Sequence, residues 1–353
     1  MPALDAAACR AVDSTGQFAE VQGLSEHLRD AVWRVDSANI APVDAHGGLI
    51  VAGMGGSSVG GRLAIGALAP RLRRPIALAM GYDIPAWIGR ETLVLCASYS
   101  GTTEETLATY DAAKAAGAPR LVATTGGALA ERAREDGVPV IPLPGGFQPR
   151  AAVGYSLVTA LEAAALCGAA PSVRDDIERA AALAGELAAE WGPAGDEDGD
   201  AKRIARALHG TIPVVIGAGG TASVAYRWKT QINENAELPA FASKLPEHDH
   251  NEIVGWGGAD RRLGAVFLED PDGDERAFRR MEITAEIAAE GAATVERVTA
   301  RGESRLERIV SLVLLGDLVS LYLAVLGGVD PVHVQAIDLL KQRLAAYSSS
   351  GRR

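Results

Sequence analysis

Short apolar runs recur along the chain, separated by polar or glycine-rich stretches. Residues 1–45 carry apolar positions such as Leu24, Leu28 and Val32 at a spacing of four, which predicts a helical lead-in. GLIVAG (48–53) reads as a strand, and GMGGSSVGGRLAIGAL (53–68) reads as a glycine turn opening a helix. Further apolar runs follow: PIALAM (75–80), TLVLCAS (92–98), RLVATT (120–125) and VPVIPL (138–143). Helical patterns separate several of them, and that alternation predicts βαβ units with a parallel sheet. Residues 155–190 predict helix for most of their length. WGPAGDEDGD (191–200) predicts a loop or linker.

The opening theme then returns. IPVVIGAGGTASVAYRW (212–228) repeats LIVAGMGGSSVGGRL (49–63), with Gly217, Gly219, Gly220 and Thr221 in the places of Gly53, Gly55, Gly56 and Ser57. One recurrence at this period predicts a pair of related halves, not a solenoid. GAVFLE (264–269) and ATVERV (293–298) continue the second half as strands. The halves differ at the end of a shared strand. The first reads Ser98-Tyr99-Ser100-Gly101-Thr102-Thr103, and the second reads Glu269-Asp270-Pro271-Asp272-Gly273-Asp274. Hydroxyls can donate to a phosphate and carboxylates repel it, so only the first half is expected to hold an anion.

Composition narrows the class. In 353 residues, 45 Asp and Glu outweigh 34 Lys and Arg, a net charge of −11. No broad positive field is available for nucleic acid or an anionic membrane, so neither is an expected partner. A small anion can still bind locally at backbone amides. Cys9, Cys96 and Cys167 are far apart and fit no zinc or redox spacing, which points to a reducing compartment. The N-terminus lacks the basic-then-apolar pattern of a signal peptide. The apolar stretch Ile309–Leu326 contains Asp317 and reads as a buried helix. The expected location is the cytoplasm.

Several segments carry candidate chemistry. The turn at 53–61 fails the dinucleotide fingerprint, because Ser58 stands where Gly or Ala is required. Its other readings are a plain βα turn or a turn whose amides face an anion. SYSGTTEETL (98–107) is more specific. It follows a strand, so its hydroxyls sit at the carboxyl edge of the sheet, where open α/β folds bind ligands. Thr102-x-x-Glu105 fits a capping box, so a helix is expected to start there. The dipole of that helix adds roughly 0.3–1 kcal/mol for an anion in its first turn. Arg150 precedes an alanine-rich helix, and alone it reads as well as a surface or salt-bridge residue. Glu234, between Asn233 and Asn235, is a candidate base or simply an exposed carboxylate. His248-x-His250 with flanking carboxylates has the look of a zinc pair, but His27, His46, His209 and His333 are remote. Acid–base work and a solvated acidic loop stand beside that reading.

Taken in order, GMGGSSVGG, SYSGTTEETL, PRAAVGYSL, INENAELPAF, PEHDHNEI and DPVHVQAIDLLK resemble the bifunctional phosphoglucose/phosphomannose isomerases of the sugar isomerase (SIS) domain family. The resemblance runs from about residue 20 to 345. It implies an α/β fold of two SIS domains, each a five-stranded parallel sheet flanked by helices. The expected limits are a lead-in at 1–45, a phosphate-binding domain at 46–155, connecting helices and linker at 156–200, and a second domain at 201–353. It implies that Ser57, Ser98, Ser100 and Thr103, with the amides of Gly55 and Gly56, hold the substrate phosphate. Arg150 would lie beside the reacting carbons. Glu234 would be the base. His250, contributed by the neighbouring subunit of a homodimer, would serve ring opening, with Lys341 near by. No metal, nicotinamide or nucleotide is implied. The chain departs from the family pattern at Thr102, Arg62 and Val332-His333; the last lies toward the sugar and bears on epimer choice. Two other readings are a non-catalytic phosphosugar sensor and an isomerase of another phosphosugar.

Overall fold

The computed structural model describes residues 3–349. Three helices lead in: α1 (Ala6–Val12), α2 (Gln17–Gln22) and α3 (Leu24–Ser37). The first sheet follows as β1 (Gly48–Ala52), α4 (Gly56–Leu68), β2 (Ile76–Ala79), β3 (Thr92–Ala97), α5 (Glu104–Ala115), β4 (Arg120–Thr124), α6 (Gly127–Glu135) and β5 (Val140–Pro142). Its strands are all parallel and stand in the order β2-β1-β3-β4-β5. Each of the five apolar runs read from the sequence became one of them. The central β1 and β3 are buried at every position, as strands covered on both faces must be.

Next come α7 (Val153–Leu166), α8 (Arg174–Trp191) and α9 (Asp200–Leu208). The expected helix over 155–190 is interrupted by Cys167–Val173, where Gly168 adopts a left-handed φ of +69° and Pro171 stops continuation. The acidic stretch after Trp191 is a fixed turn. The buried Lys202 ammonium donates to the carbonyls of Pro193 (3.3 Å) and Gly195 (2.9 Å) and pairs with Glu197 (3.1 Å).

The second sheet is built from β6 (Ile212–Ala218), α10 (Thr221–Asn235), β7 (Phe241–Leu245), β8 (Leu263–Glu269), α11 (Glu275–Gly291) and β9 (Thr294–Thr299). It too is wholly parallel, in the order β7-β6-β8-β9. The two-sheet α/β architecture is the expected one, but among the described residues this sheet has four strands where five were expected. After β9 the chain turns at once into α12 (Arg305–Gly327), whose start is sealed by a capping box between Ser304 and Glu307. β7 was not foreseen. Its sequence, FASKL, is an edge strand with Phe241 and Lys244 exposed, so it carries no continuous apolar run. The last helix is α13 (Gln335–Ser349).

One continuous apolar cluster joins the halves. It takes residues from the lead-in helices, α4, α7, α8, α10 and α12 and from the inner faces of both sheets. Separate clusters line the outer face of each sheet, under α5 and α6 in the first and α11 in the second. α12 is long and apolar enough to cross a membrane by length and composition alone, but its side chains are buried within the protein from Leu306 to Leu326. Each fully buried Leu on it contributes about 1.5–3 kcal/mol. Gly316 allows the closest approach there: a Cβ would meet the Trp228 indole nitrogen at 2.1 Å. That indole donates to the Leu312 carbonyl at 2.8 Å, joining α10 to α12.

Candidate active site

In both sheets the chain runs outward from the first strand in one direction and then returns to the other side. The crevice at the carboxyl ends of β1 and β3 is such a switch point, where open α/β sheets place ligands. The turn after β1 reaches it at Gly55, with φ +52°, and α4 begins at Gly56. Among the described residues the N–H groups of Gly55 and Gly56 have no hydrogen-bond acceptor. A Cβ on Gly56 would meet the Pro149 carbonyl oxygen at 2.6 Å and Arg150 Cα at 3.2 Å, so the turn lies directly against the segment bearing Arg150.

The turn after β3 lies alongside. Ser57 Oγ accepts from the Tyr99 N–H at 3.2 Å, tying the two turns together. The buried Ser98 hydroxyl meets Thr103 Oγ1 at 2.9 Å and accepts from the Gly101 N–H at 3.1 Å. Ser100 and Thr102 pair their hydroxyls at 3.0 Å and are exposed. The capping box expected at Thr102 and Glu105 does not form. The residue before α5 is Thr103, which makes no side-chain cap to the helix because its hydroxyl is turned onto Ser98. The helix start therefore keeps its first amides for another acceptor. Tyr99 also steadies the neighbouring loop: its hydroxyl donates to the Pro144 carbonyl (2.8 Å) and accepts from the Phe147 N–H (2.9 Å).

Arg150 is buried, 4% exposed, between the halves. Its Nε donates to Asn235 Oδ1 at 2.6 Å, and its Nη2 donates to the Pro331 carbonyl. Its Nη1 lies 3.6 Å from Glu234 Oε2. Glu234 stands in the last turn of α10. Burial pushes its carboxyl above the usual range, and the cations of Arg150, Arg227 and Lys229 pull the other way. Burial likewise pushes the Arg150 guanidinium down, countered by Glu234 and Glu20. Asn233 anchors the far side of Glu234 by donating to the Leu238 carbonyl at 2.7 Å.

His248 and His250 part company. Trp256 Nε1 donates to His248 Nε2 at 3.1 Å, and His248 Nδ1 faces Ser243 Oγ at 3.1 Å and Glu252 at 3.3 Å. Both ring nitrogens of the buried His248 are thus engaged within the fold, and the zinc-pair reading of the two histidines fails on that geometry. His250 is exposed at the end of the short 3-10 turn Glu247–His250. Among the described residues it bonds to neither Arg150 nor Glu234. Lys341 is exposed on α13 and has no ion-pair or hydrogen-bond partner among the described residues. The chain therefore assembles the glycine turn, the hydroxyl turn, Arg150 and Glu234 into one contiguous set. It does not bring His250 or Lys341 to them through any bond of its own.

The curated relatives decide the family. A bifunctional phosphoglucose/phosphomannose isomerase of Caldicellulosiruptor bescii is 39% identical over 335 residues, covering 93% of this chain and 98% of that protein. The chain belongs to the bifunctional phosphoglucose/phosphomannose isomerases. An isomerase of the same description from Aquifex aeolicus is 37% identical, over 85% of this chain and 91% of its own length. Residues 197–344 match the family described as the bacterial phospho-glucose isomerase C-terminal SIS domain. A hypothetical protein of Thermus thermophilus shares the fold with a TM-score of 0.74 at 16% identity, over 98% of this chain and 94% of that one. This family membership makes the chain a sugar-phosphate isomerase.

Sequence reasoning passed over part of what holds the candidate site of this isomerase. Arg227 pairs with Asp317 in full burial, and Asn235 and Ser320 connect Asp317 back to Arg150. A signal was present: Asp317 is a lone carboxylate inside an apolar helix, which demands a buried partner.

Proposed function

We propose that the enzyme interconverts fructose 6-phosphate with glucose 6-phosphate and mannose 6-phosphate by moving a proton between C1 and C2. The observation that carries this reading is the pairing of buried Arg150 with the partly buried Glu234, 3.6 Å apart, beside a turn whose Gly55 and Gly56 amides have no acceptor among the described residues. In it, Gly55, Gly56, Ser57, Ser98, Ser100 and Thr103 hold the phosphate, which orients the sugar without touching the reacting bonds. His250 passes a proton to the ring oxygen to open the sugar, a task suited to imidazole. The Glu234 carboxylate then takes the C1 proton of the ketose. The enediolate that results is anionic, and the fixed Arg150 cation stabilises it more than the ground state. Protonated Glu234 returns the proton to C2 as the hydroxyl hydrogen moves from O1 to O2. The face of C2 that receives it sets glucose or mannose configuration.

The exposed position of His250 supports a homodimer in which it completes the site of the other subunit, with Lys341 as a further cation near the sugar. The repeated sheets support two SIS domains within 46–155 and 201–353, joined by 156–200 and led by 1–45. Every step uses side chains of the protein, so the reading needs no metal. The buried, free thiols suit a reducing cytoplasm. The test is fructose 6-phosphate in deuterated water with a chelator, followed by NMR. Deuterium at C2 of both aldose phosphates is the expected result. Binding without exchange would leave a phosphosugar sensor instead.

A further inference from the structure

The guanidinium of Arg150 can serve the reaction only if it points one edge at the reacting carbons and stays there. Two of its nitrogens are already committed: Nε to Asn235 Oδ1 and Nη2 to the Pro331 carbonyl. The orientation of the Asn235 amide therefore decides which edge is left for Glu234. That orientation is forced from both ends. Ser320 Oγ lies 2.6 Å from the Asp317 carbonyl, which can only accept, so the hydroxyl hydrogen is spent there. Toward Asn235, at 2.9 Å, the hydroxyl can then only accept, and the amide must present its NH2. Its oxygen is left facing Arg150 Nε, a group that can only donate. A flipped amide would fail at both contacts.

The far side of the circuit is equally closed. Arg227 grips Asp317 with two hydrogen bonds, 2.9 and 2.6 Å, and donates at 3.0 Å to the backbone carbonyl of Arg150 itself. Asn235, Ser320, Asp317 and Arg227 are each no more than 2% exposed. No water competes for these bonds, and each group unpaired by mutation would be left buried.

We propose that Asn235 is a positioning residue for Arg150, its amide held in one orientation by Ser320, so that the guanidinium edge stays turned to Glu234 and to the developing enediolate. The inference rests on the isomerase reading for its catalytic consequence, but not for its geometry. The charged groups facing Glu234 are Arg150, Arg227 and Lys229; those facing Arg150 are Glu234, Glu20 and Arg227. Neither Ser320 nor Asn235 carries charge, so substituting them removes no charge from around Glu234 and acts on its titration through the position of Arg150; Ser320→Ala, which is remote from Glu234 in the chain, is the cleaner of the two variants.

The experiment is the 13C titration of the Glu234 carboxyl, assigned by its loss in Glu234→Gln, in wild type, Ser320→Ala, Asn235→Ala and Ser320→Thr. With Arg150 freed, the midpoint rises by about half a unit to one unit in Ser320→Ala and by more in Asn235→Ala. Ser320→Thr, which keeps the hydroxyl, restores the wild-type value. With fructose 6-phosphate, kcat falls roughly tenfold or more in the two alanine variants while KM changes little. An unmoved midpoint in folded Ser320→Ala and Asn235→Ala overturns the proposal. So does rapid solvent exchange of the wild-type Arg150 Nε–H, a measurement that needs no variant to fold. A wild type that fails to isomerise while the midpoints still shift rejects the isomerase reading and keeps the positioning role.

Discussion

The two sheets present the same pair of turns at the same switch point, and they spend their polar groups differently. At the head of the first, the Gly55 and Gly56 amides lack acceptors among the described residues, and Thr103 leaves the start of α5 uncapped by its side chain. At the head of the second, the equivalent glycines lie under a cation: a Cβ on Gly220 would meet the Arg305 guanidinium at 2.9 Å, and Arg305 Nε is held by the Gly66 carbonyl at 2.7 Å. Thr221, in the place of Ser57, spends its hydroxyl inside the fold, accepting from the Ala218 N–H (2.9 Å) and donating to the Leu268 carbonyl (2.8 Å). The strand end beyond it is acidic but already neutralised. Glu269 pairs with Arg297, Arg308 holds Asp270 (2.7 Å) and Asp272 (3.1 Å), and Asp274 caps α11. Only the first half is therefore left with turn donors that lack internal acceptors among the described residues, which is what the proposed phosphate site needs; in the second half the chain supplies its own counterions, and its proposed contribution is Glu234.

The sharpest way to break this division of labour is at Glu234. In Glu234→Gln, kcat should fall by about 10²–10⁴-fold while phosphosugar binding, read by calorimetry, persists. The pH profile of the wild type tests the same residue. The base works ionised and burial raises its pKa, so kcat/KM should decline as pH drops through a value above the ordinary carboxylate range. A smaller effect belongs to the phosphate end. Ser98→Ala should weaken phosphosugar affinity roughly ten- to a hundredfold, the worth of hydrogen bonds to a charged group. In the second half, Thr221→Val, at the place of Ser57, should leave affinity unmoved and lower stability by about 1–3 kcal/mol. Equal loss of affinity in both would erase the contrast between the halves. A change read on stability alone, with activity kept, is expected in Arg308→Ala. Freeing Asp270 and Asp272 should cost about 2–3 kcal/mol of stability in urea denaturation, below the figure for a fully buried pair because Asp272 is largely exposed.

Much of this was legible in the chain. The five strands of the first sheet appeared as apolar runs because both faces of a parallel sheet are covered, so burial leaves an unbroken signature. The repeated glycine turn announced two related halves, and the hydroxyl turn marked the end at which a phosphate is proposed to bind. β7 escaped because an edge strand with Lys244 and Phe241 in solvent has no such signature. That the second sheet has four strands among the described residues escaped because nothing local forbids a fifth; α12 simply begins too soon. Thr102 was chosen over Thr103 as the helix cap because spacing alone cannot tell which hydroxyl has a better partner elsewhere.

By itself the sequence determined the class, the two halves and the residue types available for chemistry, since these follow from periodicity, glycine placement and charge along neighbouring positions. Only the tertiary structure decided which donors stay unspent, that His248 is locked inward while His250 faces out, and that Arg150 is held by a circuit through Asn235, Ser320, Asp317 and Arg227. Those outcomes depend on partners scores of residues apart in the chain, whose hydrogen bonds are settled by three-dimensional proximity and burial, and no local pattern records them.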